Sequence, residues 1–223
     1  MVKEISIPHP WSAWIKLLQH TRSIAVIRAE TFAQGLAMAN AVAAGGMSLI
    51  EITWNSDRAL ELVNQLQADL PHCTIGMGTL LSVSAVREAI AAGAQFLFSP
   101  HTDLALIHLA IDRGVPLVPG ALSPTEIVTA WQAGAAGVKV FPIQAVGGAS
   151  YIRALQGPLG SIPLIPTGGV TPDNAAAFLA AGAIAVGLSG QLFPTEAIAQ
   201  SNWTEITDRA QDLVRRLQSG DAK

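Results

Sequence analysis

Cysteine, charge and long apolar runs are all scarce in this sequence of 223 residues. Charged residues make up 13% of the chain and the net charge is −3, which excludes a strongly basic nucleic-acid-binding surface. The single cysteine, Cys73, excludes an internal disulfide framework, and no CxxC or His/Cys cluster has the spacing of a zinc site. The N-terminal segment has no apolar signal core, and the longest weakly apolar run, Ala175–Leu188, is too short to span a membrane. We therefore expect a cytoplasmic protein with no metal and no membrane or nucleic-acid partner.

Hydrophobic residues, by contrast, make up 50% of the chain, and many lie in short runs rich in β-branched side chains. The runs begin about 21 to 26 residues apart, which suits one strand plus one helix. They are apolar on both faces, as expected of buried parallel strands. The predicted strands are residues 23–28, 48–53, 74–77, 95–99, 116–119, 137–141, 163–166 and 184–188.

Alanine-rich stretches with apolar residues at helical spacing separate these strands. A glycine follows most of them and can take the left-handed conformation that ends a helix. The predicted helices include Phe32–Ala44, Asp57–Leu70, Val83–Ala92, Asp103–Arg113 and Thr125–Ala133, and the glycines are Gly45, Gly93, Gly114, Gly134 and Gly182.

Eight such repeats predict an α/β fold, a (β/α)₈ TIM barrel that forms a single domain over residues 1–223. An open doubly wound sheet is the alternative, because the sequence does not reveal the strand order. Residues 1–22 are expected to form an extra N-terminal helix, from Trp11 to His20, that closes the bottom of the barrel. Residues 23–190 form the barrel core, and residues 204–218 form the last helix.

Lys139 is the most informative polar residue of the predicted strands. It lies between Val138 and Val140, whereas the other three lysines lie near the ends of the chain. Active sites of such barrels lie at the C-terminal ends of the strands. Burial disfavours the charged form of an amine and makes it a nucleophile toward carbonyls, so Lys139 is predicted to form a Schiff base. The alternatives are a structural ion pair and a side chain that faces outward.

Glu51 interrupts a second apolar strand. A buried carboxyl group needs a partner or takes up a proton, and either state suits a general acid/base. The alternative is a buried salt bridge to Lys139, which is compatible with catalysis because the two side chains would share a pocket.

Two glycines, Gly168 and Gly169, follow the seventh strand, and Thr171 is predicted to cap a helix that begins at Pro172. The N–H groups of this loop would converge on one point suited to a phosphate or a carboxylate. Ser189, after the eighth strand, can add a hydroxyl group. The alternative is that the glycines only form tight turns.

Thr79 follows the third strand and Arg28 ends the first. The threonine can hydrogen-bond a substrate oxygen, and the arginine can bind a carboxylate. A strand-end turn and a surface ion pair are the corresponding structural alternatives.

Short motifs spread over much of the chain carry a family resemblance. They are Ala25-Val26-Ile27-Arg28, Glu51-Ile52-Thr53, Gly76-Met77-Gly78-Thr79, Ser99-Pro100-His101, Val118-Pro119-Gly120, Val138-Lys139-Val140-Phe141-Pro142 and Pro166-Thr167-Gly168-Gly169-Val170. Taken in order, they resemble the 2-keto-3-deoxy-6-phosphogluconate / 4-hydroxy-2-oxoglutarate (KDPG/KHG) aldolase family. The resemblance implies a class I aldolase with a lysine Schiff base, no cofactor and a homotrimeric assembly.

The resemblance also implies roles for individual residues. Lys139 matches the Schiff-base lysine, Glu51 the general acid/base, and Thr79 a residue that holds the substrate carboxylate. Gly168, Gly169 and the region of Ser189 match the phosphate-binding loops. Three further residues are expected to line the pocket: Asn55, Pro100 and Phe141.

Two departures from the family pattern affect the expected substrate. Asn55 stands where many members carry an arginine, four residues after the glutamate, and Arg28 resembles an alternative arrangement in which the arginine ends the first strand. The last loop reads Ser189-Gly190, whereas many members have the order Gly-Ser. The choice between a phosphorylated sugar acid and a short dicarboxylic keto acid therefore stays open.

The expected reaction is reversible cleavage of KDPG to pyruvate and glyceraldehyde 3-phosphate, of 4-hydroxy-2-oxoglutarate to pyruvate and glyoxylate, or of both. The same imine would also serve to decarboxylate oxaloacetate. Two alternatives belong to other classes: a non-catalytic barrel that binds sugar phosphates, and a phosphosugar isomerase or epimerase with the same phosphate loops.

Overall fold

Short parallel strands occupy all of the segments in which the sequence predicts them. The structure, a computed structural model, describes residues 10–219. Its strands are β1 (Ser23–Ile27), β2 (Leu49–Thr53), β3 (Thr74–Gly78), β4 (Leu97–Phe98), β5 (Leu117–Val118), β6 (Gly120–Ala121), β7 (Val138–Val140), β8 (Leu164–Pro166) and β9 (Val186–Leu188). The fifth predicted strand is divided into β5 and β6 at Pro119, which has no N–H group to donate to a neighbouring strand.

The strands form a closed ring. One sheet has the order β5-β4-β3-β2-β1-β9, the other has the order β6-β7-β8, and all pairings are parallel. Pro119 joins the two sheets on one side. On the other side, a bridge between Thr167 and Gly187 and a hydrogen bond of 3.0 Å from the Ile184 N–H to the Leu164 carbonyl close the ring. The predicted TIM-barrel fold is confirmed, and the open doubly wound sheet is wrong.

An α-helix follows each strand position of the barrel. The helices are α1 (Ser12–Thr21), α2 (Phe32–Ala44), α3 (Ala59–Asp69), α4 (Val83–Ala91), α5 (Leu104–Asp112), α6 (Pro124–Gln132), α7 (Ala149–Leu159), α8 (Ala175–Ala180), α9 (Thr195–Ala199) and α10 (Trp203–Ser219), with a 3₁₀ turn at Ile143–Val146. The helices predicted from apolar spacing are all present, with ends that differ by no more than two residues. Between residues 10 and 219 there is no helix with the length and apolar character needed to cross a bilayer.

Some predicted boundaries differ from the observed ones. The N-terminal helix covers only Ser12–Thr21 of the expected residues 1–22, of which residues 1–9 lie outside the described part. The last helix extends one residue beyond residues 204–218 at each end. After α2, the residue with positive φ is Gly46 (φ 90°) and not the predicted Gly45 (φ −77°), because the chain continues for one more residue before it turns.

The helix predicted to begin at Pro172 begins at Ala175, so that prediction is wrong. The Asn174 N–H donates to Thr171 Oγ1 (3.1 Å), and the Thr171 N–H donates to Asn174 Oδ1 (2.7 Å). These reciprocal bonds close a turn that precedes the helix. Thr171 therefore caps the turn, and the first helical N–H groups lie further along the chain.

Apolar side chains fill the barrel interior at the N-terminal ends of the strands. Trp11, Trp14 and Leu18 are buried there, where α1 covers this end. The ring of Trp14 stacks on Phe96 with 5.0 Å between centroids, and Phe96 meets Phe98 edge-on at 5.8 Å. Because this end is closed by rings, the polar interior residues lie toward the opposite, C-terminal ends of the strands.

Candidate active site

A cavity of about 350 Å³ opens at the C-terminal ends of the strands, where barrel enzymes carry their active sites. Closure of the barrel brings together residues that are far apart in the sequence. The predicted site residues that line the cavity are Arg28, Glu51, Thr79, Pro100, Lys139, Phe141, Gly168, Gly169 and Ser189.

Asn55 does not line this cavity, so its predicted place in the pocket wall is wrong. Its side chain is exposed in the turn after β2. The strand ends at Thr53, where the Thr53 carbonyl accepts a hydrogen bond of 2.9 Å from the Ser56 N–H. This turn directs the chain outward before it reaches Asn55.

The cavity wall also contains residues that are not among the predicted site residues. They are Val26, Thr53, Thr167, Val170, Gly187, Gly190 and Gln191. Thr53 and Thr167 are polar residues at strand ends, which is the feature that identified the other candidates. Val26 precedes Arg28 by two residues, so strand alternation places both side chains on the same face.

Lys139 is buried in β7, with 6% of its surface exposed. Val138 and Val140 pack on the helix side of the sheet, and alternation along the strand turns Lys139 toward the cavity. Within residues 10–219, its amino group forms neither an ion pair nor a hydrogen bond, so the structural ion pair is not formed there. Burial of the side chain in the cavity wall excludes the outward-facing alternative.

Two aromatic rings flank this amine. The ring centroids of Phe98 and Phe141 lie 5.7 and 5.1 Å from Lys139 Nζ. A ring face attracts a cation without forming a conventional hydrogen bond to it. The amino group therefore keeps its donors and, when neutral, its lone pair for a molecule that enters the cavity.

Glu51 lies on β2, with 2% of its surface exposed. Burial raises the pKa of Glu51, and the positive charges of Lys139 and Arg28 act in the opposite direction. A carboxyl group with a raised pKa can hold a proton near neutral pH and release it again, as general acid/base catalysis requires.

The Glu51 carboxyl has no hydrogen-bond or ion-pair partner among the residues that the structure describes. Its Oε1 makes no hydrogen bond to any of residues 10–219, and no ion pair within 4.0 Å joins it to Lys139 in that range. The direct salt bridge considered as an alternative is therefore not formed. In the same part of the chain, no three His, Cys, Asp or Glu side chains are grouped as metal ligands.

Thr79 follows β3 in a strained backbone conformation, with φ 62°. The left-handed region is unfavourable for a β-branched residue, by roughly 1–3 kcal/mol. Its neighbours hold it there: the Gly78 carbonyl accepts from the Trp54 N–H (2.8 Å), and the Leu80 N–H donates to the Phe98 carbonyl (3.2 Å). Such strain concentrates at functional sites, and here it fixes a hydroxyl-bearing residue in the cavity wall.

The loop at Gly168 and Gly169 lies at the other side of the cavity, with φ of 86° and 91°. Donors hold its carbonyls: the Gln144 N–H bonds to the Gly168 oxygen (3.1 Å), and the Asn174 side chain bonds to the Gly169 oxygen (3.0 Å). The N–H groups of Gly169 and Gly190 donate to no acceptor between residues 10 and 219. Free N–H groups in glycine loops of this kind suit an anion.

Fold and site together define a barrel enzyme that has a buried amine and a buried carboxyl group in one cavity. The sequence model of the family described as KDPG and KHG aldolase matches residues 15–209. The chain belongs to this family of aldolases, which are carbon–carbon lyases, and the resemblance seen in the motifs is confirmed.

Individual relatives cover nearly the whole chain. The 2-dehydro-3-deoxy-phosphogluconate aldolase of Pseudomonas aeruginosa is 32% identical over 201 residues, 90% of this chain and 91% of the relative. The KHG/KDPG aldolase of Escherichia coli is 29% identical over 86% of this chain and 90% of the relative. A KDPG aldolase from Legionella pneumophila, solved with pyruvate captured as a covalent carbinolamine, has a TM-score of 0.83, 28% identity and coverage of 92% and 97%.

Proposed function

We propose that this protein is a class I aldolase that reversibly cleaves 4-hydroxy-2-oxo acids to pyruvate and an aldehyde. KDPG and 4-hydroxy-2-oxoglutarate are the proposed substrates. The observation that carries the proposal is a buried lysine amine, free of ion-pair and hydrogen-bond partners among residues 10–219, that shares a cavity with a buried carboxyl group. The pyruvate carbinolamine captured in the Legionella relative supports covalent chemistry at this amine.

The first half of the reaction forms the imine. The neutral Lys139 amine attacks the C2 carbonyl carbon, and the proton that the nitrogen loses passes to the carbonyl oxygen to give a carbinolamine. Glu51, as the acid, protonates the departing hydroxyl group, and water leaves as the C–N double bond forms. The protonated imine then withdraws electrons from C3, which covalent catalysis requires.

The second half breaks the carbon–carbon bond. Glu51, now a carboxylate, removes the proton from the C4 hydroxyl group. The C3–C4 electron pair moves toward the imine nitrogen, so the aldehyde leaves and an enamine remains. Glu51 returns its proton to C3, and water hydrolyses the imine to release pyruvate and the amine. One carboxyl group thus acts in both directions, which a raised pKa favours.

The ends of the substrate have separate binding groups in this proposal. Thr79 and Arg28 hold the pyruvate carboxylate, Pro100 and Phe141 form the apolar wall, and a phosphate on the aldehyde half binds the Gly168–Gly169 loop and Ser189. Free N–H groups in the glycine loops support the phosphate site. A KDPG aldolase from Zymomonas mobilis, solved with 3-phosphoglycerate, is similar to this chain with a TM-score of 0.79 and 25% identity over 90% of this chain and 94% of that chain.

Kinetics on a small set of 2-oxo acids test this function. KDPG, 4-hydroxy-2-oxoglutarate and oxaloacetate are compared, with release of pyruvate as the common signal. We expect cleavage of at least one hydroxy acid. If the phosphate forms one or two charge-assisted hydrogen bonds, kcat/KM for KDPG should exceed that for 4-hydroxy-2-oxoglutarate by about 10-fold or more. No cleavage of either hydroxy acid would contradict the proposal.

Arg28→Ala is expected to weaken binding of the keto acid. The guanidinium lies at the cavity and its charge is felt by Glu51. Loss of a charge-assisted contact to carboxylate should raise KM about 10- to 100-fold, with a smaller change in kcat. Initial rates over a range of substrate concentrations measure both constants. Arg87→Ala, an exposed arginine outside the cavity, is the matched control; an unchanged KM in Arg28→Ala would show that the carboxylate is held elsewhere.

We also propose a homotrimeric assembly. A structural neighbour at 30% identity and a TM-score of 0.81, covering 89% of this chain and 73% of that chain, is a protein cage designed by fusing symmetric oligomeric domains. Large apolar side chains are exposed near α4 and α5, among them Leu81 (61%) and Leu104 (45%), and such residues favour contacts between subunits. The cytoplasmic location expected from the sequence stays a prediction.

A further inference from the structure

Two glycines of β3, Gly76 and Gly78, lie against the side chains of Phe96 and Glu51. A Cβ atom added to Gly76 would lie 2.4 Å from the ring of Phe96, and one added to Gly78 would lie 1.7 Å from Glu51 Oε1. Real Cβ atoms do not approach other atoms this closely. The missing side chains of Gly76 and Gly78 therefore create the space that Phe96 and Glu51 occupy.

At Gly78, the obstacle to a side chain is Glu51. The three atoms nearest to the added Cβ are Oε1, Cδ and Cγ of Glu51, at 1.7, 2.4 and 2.9 Å. Gly78 belongs to β3, in register with Thr53, and its φ is not in the left-handed region. The backbone itself would therefore accept alanine, and the conflict is with the Glu51 carboxyl.

Packing against β3 limits the positions that this carboxyl group can take. Its Oε1 makes no hydrogen bond within residues 10–219, and no ion pair joins it to Lys139 there. A long side chain without a bonded partner keeps one position only where its surroundings leave one space for it.

We propose that Gly78 is a positioning residue, whose missing side chain forms the recess that holds the Glu51 carboxyl in the wall of the cavity. This inference rests on the proposed function, in which Glu51 transfers the protons. Gly78 acts through Glu51 and has no contact with substrate in this account.

Gly78→Ala is expected to move the carboxyl group toward the cavity and away from its buried position. The value of kcat should fall about 100-fold, because general acid/base catalysis depends on hydrogen-bond geometry. Glu51 must be ionised to remove the C4 hydroxyl proton, so its protonation should cause the acidic limb of the pH profile of kcat, and in Gly78→Ala this limb should move to lower pH. The displaced carboxyl is less buried, and the charged groups that face it, Lys139 from β7 and Arg28 after β1, both favour its ionised form.

Gly76→Ala is the matched control. It adds the same methyl group to the same face of the same strand, but the group collides with Phe96 and not with Glu51. We expect a lower Tm with the acidic limb unchanged. An equal displacement of that limb in both variants would mean a general distortion of the barrel and would overturn the proposal, as would a Gly78→Ala enzyme with the wild-type rate and pH profile.

Removal of the Glu51 side chain provides a second test, which also works if Gly78→Ala does not fold. Glu51→Ala removes Oε1, Cδ and Cγ, the three atoms nearest to the methyl group that Gly78→Ala adds. The double variant Glu51→Ala/Gly78→Ala should therefore melt at the same Tm as Glu51→Ala. A further large fall in Tm would overturn the proposal, because the obstacle would then lie elsewhere.

The proposed function and the positioning role fail in different ways. If Glu51→Gln keeps the wild-type rate, Glu51 is not the acid/base and both are wrong. If Glu51→Gln is slow but Gly78→Ala is wild-type in rate and pH profile, only the positioning role is wrong. In the supporting result, Gly78→Ala reduces kcat strongly in the wild-type background and little in the Glu51→Gln background.

Discussion

Lys139→Ala is expected to abolish turnover of every 2-oxo acid, with kcat lower by about 10⁴-fold or more, the scale on which loss of a covalent nucleophile acts. The amine is the group that forms the imine, and among residues 10–219 no other lysine lines the cavity. Treatment of the wild-type protein with pyruvate and borohydride should reduce the imine and add one pyruvate-derived group to the peptide that contains Lys139. Mass spectrometry of the digested protein measures this addition, which should be absent from the variant.

Lys139→Met separates loss of chemistry from loss of fold. The methionine side chain fills a similar space between Phe98 and Phe141. The substitution removes the amine of a residue that is 6% exposed and that forms no ion pair among the described residues. The free energy of unfolding of Lys139→Met should equal or exceed that of the wild type, because a buried charge is unfavourable when unpaired. Lys16→Ala, at an exposed position of α1, should retain both rate and labelling. Turnover by Lys139→Met, or labelling of another lysine, would contradict the assignment.

Lys139 and Glu51 could be identified from the sequence because burial of charge is unfavourable. Each interrupts an apolar strand, and a strand keeps such a residue when its surroundings or its function compensate for the cost. The strands could be located from the repeated apolar runs, because runs separated by helix-length intervals are a local property of the chain. The barrel was therefore predictable in outline from local patterns.

Features that depend on neighbours across the barrel could not be predicted in the same way. Asn55 lies four residues after Glu51, but the strand ends at Thr53 and the turn carries Asn55 to the surface. Gly78 pairs in register with Thr53, and its contact with Glu51 arises from the direction of a side chain two residues earlier on β2. Sequence spacing does not encode such diagonal contacts between strands.

The start of α8 illustrates the competition between two local signals. Thr171 and Pro172 are typical of a helix start, yet Asn174 offers a side-chain acceptor to the Thr171 N–H and forms a turn first. As a result, the N–H groups available for an anion are those of the glycine loops after β8 and β9 rather than those of a helix N-terminus. The anion site stays a prediction, and it rests on the glycine loops because the donors expected from a helix start at Pro172 are not in place.

Glu51→Gln is expected to reduce kcat about 10²- to 10⁴-fold, the range in which a general acid/base contributes. Glutamine has nearly the shape of the acid and should keep its place over Gly78, so the change removes proton transfer and little else. Slow imine trapping with pyruvate should persist, because Lys139 is intact. The acidic limb that Glu51 causes in the wild type should disappear from the pH profile. A wild-type rate in this variant would remove the assigned role of Glu51.

The same substitution should change how stability depends on pH. Burial raises the pKa of Glu51 above the ordinary value of 4.5, so the folded protein binds this proton more tightly than the unfolded chain. The stability that the protonated carboxyl contributes is complete below the unfolded pKa and is lost as the pH rises through the folded pKa. Glutamine carries no such proton, so Glu51→Gln should become more stable relative to wild type with rising pH.

Urea unfolding at about pH 4 and about pH 8 measures this difference. We expect the free energy of unfolding of Glu51→Gln, relative to wild type, to be larger at the higher pH, because only the wild type loses the stability that the buried proton provides. A difference that stays constant between the two pH values would mean that the Glu51 carboxyl titrates alike in the folded and unfolded chains. Its burial would then provide no proton affinity for catalysis, and Glu51 could serve only as an ordinary carboxylate.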